Sequence, residues 1–238
     1  RSATTVSLSG GTITGDLYGG GLGQLAAAAV YYTQSEIDVA HEGDNAYGKT
    51  TSDIKIPAKT DIAADVNGPV TVTVSNGKAA NVFGCNNLYG APKSTVAVTV
   101  SGTEEMAVGS AISNVYGGGN RAAYTGSPTV TISGGTVNQG YGGGLGASAI
   151  VDGSTSVTIS GGTIGNDVFG GGSLADVTGS VTVSVTGGQV INDVYGGGEK
   201  ANTNTGNWDT TNDTWNVESA TPIDYYLPVK HLKTGDNV

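Results

Sequence analysis

The sequence has little cysteine and little charge. Cys85 is the one cysteine among 238 residues, so no intramolecular disulfide can form, and we expect it to be a small buried apolar side chain. Charged residues make up 13 % of the chain, about half of the usual share of about 25 %. The formal net charge is −10. Because phosphate contacts need a basic face, we expect no nucleic-acid partner.

Long apolar segments are absent too. The longest run, LAAAAVYY from Leu25 to Tyr32, is far shorter than the roughly 20 residues that a membrane-spanning helix needs, so no membrane insertion is expected. The opening residues, RSATTVSLSGG, carry no basic stretch followed by an apolar one, as a secretory leader would. They already lie inside a motif, and we interpret the chain as a mature protein or an excised fragment.

Glycine, in contrast, is abundant, with 41 of 238 residues, more than twice its usual share of about 7 %. Much of it lies in a unit that recurs six times and is well represented by VTISGGTIGNDVFGGG, residues 157–172. Each unit contains an aromatic residue, usually followed by three glycines. The six aromatic residues are Tyr18, Phe83, Tyr116, Tyr141, Phe169 and Tyr195. Their last three spacings, 25, 28 and 26 residues, give a period of about 26, and the longer gaps are insertions.

This unit predicts two or three short strands per copy. Period-two alternation places Val157 and Ile159 on one face and Thr158 and Ser160 on the other. The period is too short for a four-stranded propeller blade and lacks the helical pattern of the common helical repeats. We therefore predict an all-β, single-stranded parallel β-solenoid (β-helix) of about six rungs, in which stacked Val and Ile columns form a shared core. An immunoglobulin-like sandwich is the main alternative.

Two segments depart from the repeat. We predict β-solenoid repeats over residues 1–198, interrupted by an insertion at about 22–65 in which the Ala-rich run has helical potential. Residues 199–238 are predicted to form a C-terminal loop and a capping strand, PIDYYLPV. A cap is expected because the open β-edge at the end of a solenoid invites aggregation.

The unit SGGTIGNDVFGGG resembles the Gly-rich β-helical repeats of large secreted and cell-surface proteins of bacteria, which are often labelled adhesin-like. The resemblance covers about residues 6–198 and is specific for a class of repeat, whereas such folds carry many functions. It implies secretion, an extracellular or cell-surface location and a modular parent protein. The expected function is a non-catalytic structural or adhesin-like solenoid whose partner is a host or microbial glycan or a surface protein.

Stacked rungs would align the six aromatic residues in one column, which is the candidate ligand-binding site. On this hypothesis the rings form an exposed strip on which sugar rings pack, and the adjacent glycines leave the ring faces open. The structural alternative is that the stack fixes the register of the rungs. The exchange of Phe for Tyr indicates that no hydroxyl is required at these positions.

Polar columns accompany the aromatic one. An Asp/Asn column is explained more simply by hydrogen bonds to local backbone than by a metal site, and neither a metal nor a cofactor is predicted. It comprises Asp16, Asn81, Asn114, Asp167 and Asp193. Thr/Ser pairs on the first strands are similar to the hydroxyl ranks of ice-binding solenoids, but an ordinary solvated strand face is the simpler interpretation.

The alternative function is a carbohydrate-active β-helix enzyme, either a polysaccharide lyase or a glycoside hydrolase. Glycoside hydrolysis needs two carboxyl groups that face each other across the bond. Four aspartates on neighbouring copies are candidates, and nothing in the sequence distinguishes them from solvated loop acids. They are Asp152, Asp167, Asp176 and Asp193. His41 and His231 are isolated, so a catalytic triad or a histidine metal site has no support.

Overall fold

The computed structural model describes residues 2–209 and 214–215, and these residues are almost entirely in strands and turns. The strands are β1 (Thr4–Thr12), β2 (Leu17–Tyr18), β3 (Val30–Tyr31), β4 (Ile54–Ile56), β5 (Val70–Phe83), β6 (Val96–Val100), β7 (Ile112–Tyr116), β8 (Tyr124–Thr125), β9 (Thr129–Tyr141), β10 (Val151–Asp152), β11 (Thr155–Ile164), β12 (Val168–Phe169), β13 (Val181–Val190), β14 (Val194–Tyr195), β15 (Trp208–Asp209) and β16 (Thr214–Trp215). One short helix, α1 (Gln34–Asp38), and a 3₁₀ turn (Thr205–Asn207) complete the described elements. The prediction of an all-β chain is confirmed.

Ten strands form one large sheet whose order follows the order of the sequence copies. Copy 1 carries β1 and β2, copy 2 β5, copy 3 β6 and β7, copy 4 β9, copy 5 β11 and β12, and copy 6 β13 and β14. The first strands pair in the order β1-β5-β6-β9-β11-β13, and the second strands follow the same succession of copies. All of these pairs are parallel. Because immunoglobulin-like sandwiches consist of antiparallel sheets, this pairing excludes that alternative for the described residues.

The register of the sheet places equivalent apolar residues side by side. One valine in the first strand of each copy pairs with the equivalent valine of the next copy, and in copies 2 to 5 these valines are 0–1 % exposed. They are Val6, Val72, Val98, Val130, Val157 and Val183. Alternate residues point away from this core and are half-buried or exposed. The columns of β-branched side chains therefore form a continuous core across the copies. Cys85 is free and buried in the same core, as predicted.

A third set of short strands pairs outside the large sheet. β8 pairs with β10 in parallel, and single parallel bridges join Val66 to Pro92, Val151 to Val177 and Val177 to Thr203. Within the described part of the chain, no bridge joins Pro92 of copy 2 to Tyr124 of copy 3. Copies 3 and 4 thus have the third short strand that the repeat length allowed, the other copies contribute single bridges, and this ladder is interrupted at one place.

Residues 22–65 leave the sheet as a lateral segment, which we call the arm. β3 and β4 pair antiparallel, and further bridges at Gln24–Ile62 and Ala27–Lys59 extend the hairpin toward its base. Helix α1 begins at a capping box formed by Thr33 and Glu36. The Ala-rich run does not form the helix that its composition favours, because its last residues are β3 and pair with β4.

The predicted capping strand, PIDYYLPV, lies outside the described residues. The last described elements, β15 and β16, form a small antiparallel pair. None of the helices in the described ranges has the length and apolarity that a membrane crossing requires.

Candidate functional site

The six aromatic residues form one continuous stack. Centroids of adjacent rings lie 4.7–5.0 Å apart, and their planes differ by 5–11°. Each ring belongs to a strand that pairs in parallel with its neighbour, so the spacing of the strands sets the spacing of the rings. The alignment of the column that the sequence predicts is present over all six copies.

The four inner rings of the column are buried. The exposed fractions are 0 % for Phe83, 2 % for Tyr116, 2 % for Tyr141, 6 % for Phe169 and 44 % for Tyr195, and Tyr18 is half-buried. Each inner ring is covered on both faces by its neighbours, so no face is open to a sugar ring. The exposed strip expected from the sequence is therefore not present at these four positions. Their geometry fits the structural alternative, and ligand binding at the two ends of the column stays a prediction.

The first glycine after the inner rings lets the backbones of neighbouring copies lie close together. The N–H of Gly84 donates to the carbonyl oxygen of Tyr116 (2.9 Å), and the N–H of Gly117 donates to that of Tyr141 (3.0 Å). A Cβ at Gly84 would collide with the carbonyl oxygen of Gly117. Only glycine lets the backbones of neighbouring copies approach this closely, and Leu145, in the loop after copy 4, packs against the rings.

Two hydrogen bonds join the hydroxyl of a stacked tyrosine to a side chain in the loop that follows a copy two positions further along the stack. Asn120, in the loop after copy 3, donates from Nδ2 to the hydroxyl of Tyr18 in copy 1 (3.3 Å). The hydroxyl of Tyr141 in copy 4 donates to Oε2 of Glu199 after copy 6 (2.9 Å). These contacts bypass copies 2 and 5, whose rings are Phe83 and Phe169 and carry no hydroxyl. Phe83 and Phe169 therefore leave room for contacts between the copies on either side of them.

The protonation states of these groups suit structural hydrogen bonds. Burial raises the pKa of Tyr141, and its hydrogen bond to Glu199 raises this pKa further. Burial alone would raise the pKa of Glu199, but hydrogen bonds from Lys200, Ser173 and Tyr141 outweigh it, and the net pKa is lowered. At neutral pH the phenol is thus a donor and the carboxylate an acceptor. Burial raises the pKa of Tyr18 to about 12, followed by the effect of its hydrogen bond to Asp16.

The Asp/Asn column forms hydrogen bonds between copies. Asn81 donates from Nδ2 to Asp16 (2.7 Å), and Asn114 donates from Nδ2 to Asn81 (2.8 Å). In copies 5 and 6, Asp167 accepts the backbone N–H of Asp193 (3.0 Å). The expectation of bonds to local backbone is thus incomplete, because the partners belong to neighbouring copies.

The other carboxylates proposed for catalysis are similarly engaged. Asp152 accepts from the hydroxyl of Thr178 (2.8 Å), and Asp176 accepts from the backbone N–H of Asn202 (2.7 Å). Among the described residues no three His, Cys, Asp or Glu side chains are grouped as a metal site would require. His41 is exposed in the arm, and His231 lies outside the described residues.

Asn86 is a buried polar residue that the sequence reasoning missed. Its Nδ2 donates to the carbonyl oxygens of Ala64 (2.8 Å) and Tyr89 (3.2 Å), and its Oδ1 accepts from the N–H of Gly21 (3.0 Å). Gly21 directly precedes the arm and Ala64 lies near its other end, so one side chain holds the base of the arm together. A signal was present in the sequence, because Asn86 stands where copies 3 to 6 have their third glycine.

No protein-family model matches the chain, and no curated protein or solved structure matches it significantly. The fold and the candidate site therefore rest on the sequence repeat and on the geometry described above.

Proposed function

We propose that the chain is a parallel β-solenoid that serves as a stiff, non-catalytic rod in an extracellular or cell-surface protein of the adhesin-like kind. Each copy would form one coil from its first, second and third short strands. At the usual strand spacing, six coils give a rod on the order of 30 Å long. The observation that carries this proposal is the unbroken aromatic stack, in which neighbouring rings are 4.7–5.0 Å apart.

The use of the polar groups supports a structural role. Asp16, Asn81 and Asn114 link three successive copies, and the contact from Tyr141 to Glu199 passes over copy 5. Three of the four candidate carboxylates, Asp152, Asp167 and Asp176, accept hydrogen bonds from a neighbouring copy. Such bonds resist bending and sliding of one copy against the next.

The arm supports the adhesive part of the proposal, with a glycan or a surface protein as partner. Exposed apolar side chains that are concentrated in one segment are typical of interaction surfaces. Those of the arm are Leu22, Val30, Tyr31, Val39, Tyr47, Ile54, Ile56 and Ile62. The rod would hold this segment at a fixed position and away from its own core.

Hydrogen exchange tests the rod. We expect amide protection of similar strength across the inner strands β5, β9 and β11, because these strands are paired on both sides. Protection confined to one or two copies would contradict a continuous solenoid.

A reducing-end assay on plant and host polysaccharides tests the absence of catalysis. We expect no release of reducing ends above that of the matched variants Asp152→Asn and Asp176→Asn. If the wild-type chain releases reducing ends and either variant abolishes this release, the chain is a carbohydrate-active enzyme and the proposal of a non-catalytic rod is wrong.

A further inference from the structure

The third-strand ladder stops at Pro92, and the chemistry of proline explains why. Val66 donates its N–H to Ala91 (3.1 Å) and accepts the N–H of Lys93 (2.8 Å). In a parallel ladder the backbone groups of the residue between these two, Pro92, point to the opposite side. Ala97 in β6 pairs with Thr129 in β9. The same offset along the chain places Tyr124 of copy 3 on the open side of Pro92. Proline has no N–H to donate there, so the ladder is not continued.

A surface groove lies at this interruption. Its volume is about 660 Å³, which is within the range of about 300–1,000 Å³ that is usual for ligand sites. The side chains that line it are mainly small, apart from one exposed aromatic ring and a few polar groups. The lining residues that matter for recognition are Asp65, Tyr89, Ala91, Lys93, Ala123 and Thr125.

Tyr89 reaches the groove because copy 2 is one residue longer than copy 3 at this corner. Pro92 lies nine positions after Phe83, whereas Tyr124 lies eight positions after Tyr116. The longer corner contains a left-handed glycine, with φ of +83° at position 90.

The backbone of Tyr89 is held while its side chain stays open. Its carbonyl oxygen accepts from Nδ2 of Asn86 (3.2 Å) and from the N–H of Ala64 (3.4 Å). The residue is 41 % exposed and lines the groove. Because the backbone is already ordered, a ligand that binds here loses less conformational entropy than it would on a mobile loop.

The charges of the groove favour a neutral ligand. Oδ2 of Asp65 and Nζ of Lys93 form an ion pair at 3.2 Å, and Oδ1 of Asp65 accepts the N–H of Ala91 (2.9 Å). This backbone bond lowers the pKa of Asp65, and Lys93 adds to the effect. The pair leaves hydrogen-bonding groups without net charge, and the −10 charge of the whole chain repels anionic glycans.

We propose that this groove binds a pyranose ring of a neutral oligosaccharide. The C–H face of the sugar packs on Tyr89, and its hydroxyls bond to Asp65, Lys93 and Thr125. Apolar ring faces flanked by hydroxyls match an aromatic side chain beside a few convergent polar groups. The inference rests on the proposed adhesin-like function and gives it a ligand class and a site away from the stacked column.

Titration with neutral hexasaccharides of glucose, mannose, xylose, galactose and N-acetylglucosamine tests the groove, with saturation-transfer NMR and calorimetry as readouts. We expect at least one of them to bind, and Tyr89→Ala to weaken it at least tenfold. Leu174→Ala is the control, because Leu174 is 47 % exposed, lies outside the arm and does not line the groove. The control should bind as the wild type does.

A second variant tests the origin of the groove. Pro92→Val supplies the missing N–H, so we expect it to close the ladder to copy 3 and to lower the affinity at least threefold while the protein stays folded. Binding that survives both Tyr89→Ala and Pro92→Val overturns the assignment of the site, and so does the absence of binding to all five sugars. If the chain binds sugar and also releases reducing ends, the assignment of the groove stands and the proposal of a non-catalytic rod is refuted. If the chain neither binds sugar nor releases reducing ends, the assignment of the groove is refuted and the proposal of a non-catalytic rod stands.

Discussion

Replacement of Phe83 by leucine measures what the aromatic stack contributes to stability. Phe83 is fully buried, and its ring centroid lies 4.8 Å from that of Tyr18 and 4.8 Å from that of Tyr116. Leucine keeps an apolar side chain but loses both ring contacts. Each aromatic pair adds about 0.5–1.5 kcal/mol beyond the area it buries, and the change of shape costs about 1 kcal/mol. We therefore expect the free energy of unfolding to fall by about 2–4 kcal/mol.

Tyr195→Leu is the matched control, since Tyr195 has one ring neighbour and is 44 % exposed. Its loss should be about 0.5–1.5 kcal/mol, the contribution of a single pair. Urea unfolding followed by far- and near-ultraviolet circular dichroism measures both, with equal slopes required for the comparison. If Phe83→Leu costs no more than Tyr195→Leu, the rings pack as ordinary apolar groups and the stack does not fix the register.

Three further predictions concern backbone contacts, the base of the arm and alkaline pH. Gly142→Ala should lose about 2–4 kcal/mol of stability, because its Cβ would collide with the carbonyl oxygen of Gly170. Gly10→Ala is the control, since the space around Gly10 is open. It should lose less than about 1 kcal/mol in the same urea titration. Asn86→Ala should cost about 2–3 kcal/mol and remove amide protection from residues 22–65, since it leaves buried backbone groups unpaired; unchanged exchange in the arm would refute its role. Burial raises the pKa of Tyr124 to about 12, so its stabilising effect is complete below the unfolded value of about 10 and is lost as the pH rises toward 12. Absorbance at 295 nm should show a delayed ionisation coincident with unfolding, and early titration of the buried tyrosines would contradict it.

The parallel sheet was predictable because its determinants are local and repeated. Val72, Val98 and Val130 each begin an alternating stretch, and the period of about 26 residues brings them side by side. Alternation specifies which residues face the core, since a shift by one residue would turn every valine outward. Six copies of one pattern leave few alternative registers.

The direction and burial of the aromatic column were not predictable from alternation. Val82 and Phe83 are adjacent in β5 and should face opposite sides, yet both are 0 % exposed. The second face is buried because the loops fold back over it, and the contacts that hold them, such as Asn120 to Tyr18, join residues 102 positions apart. Propensity was misleading in the arm for a related reason, since pairing of β3 with β4 overrides the helical preference of an Ala-rich run.

Departures from the repeat carry the individual properties of this chain. Asn86, Tyr89 and Pro92 lie within seven residues of copy 2, and each marks a difference from copy 3. Asn86 replaces a glycine and ties the arm, Tyr89 lies in a longer corner, and Pro92 removes a ladder donor. Copy 2 keeps its stacked ring and its buried valines, so these departures do not interrupt the core. A repeat that is stabilised on two of its strands can lose pairing on the third, and that is where we place the ligand.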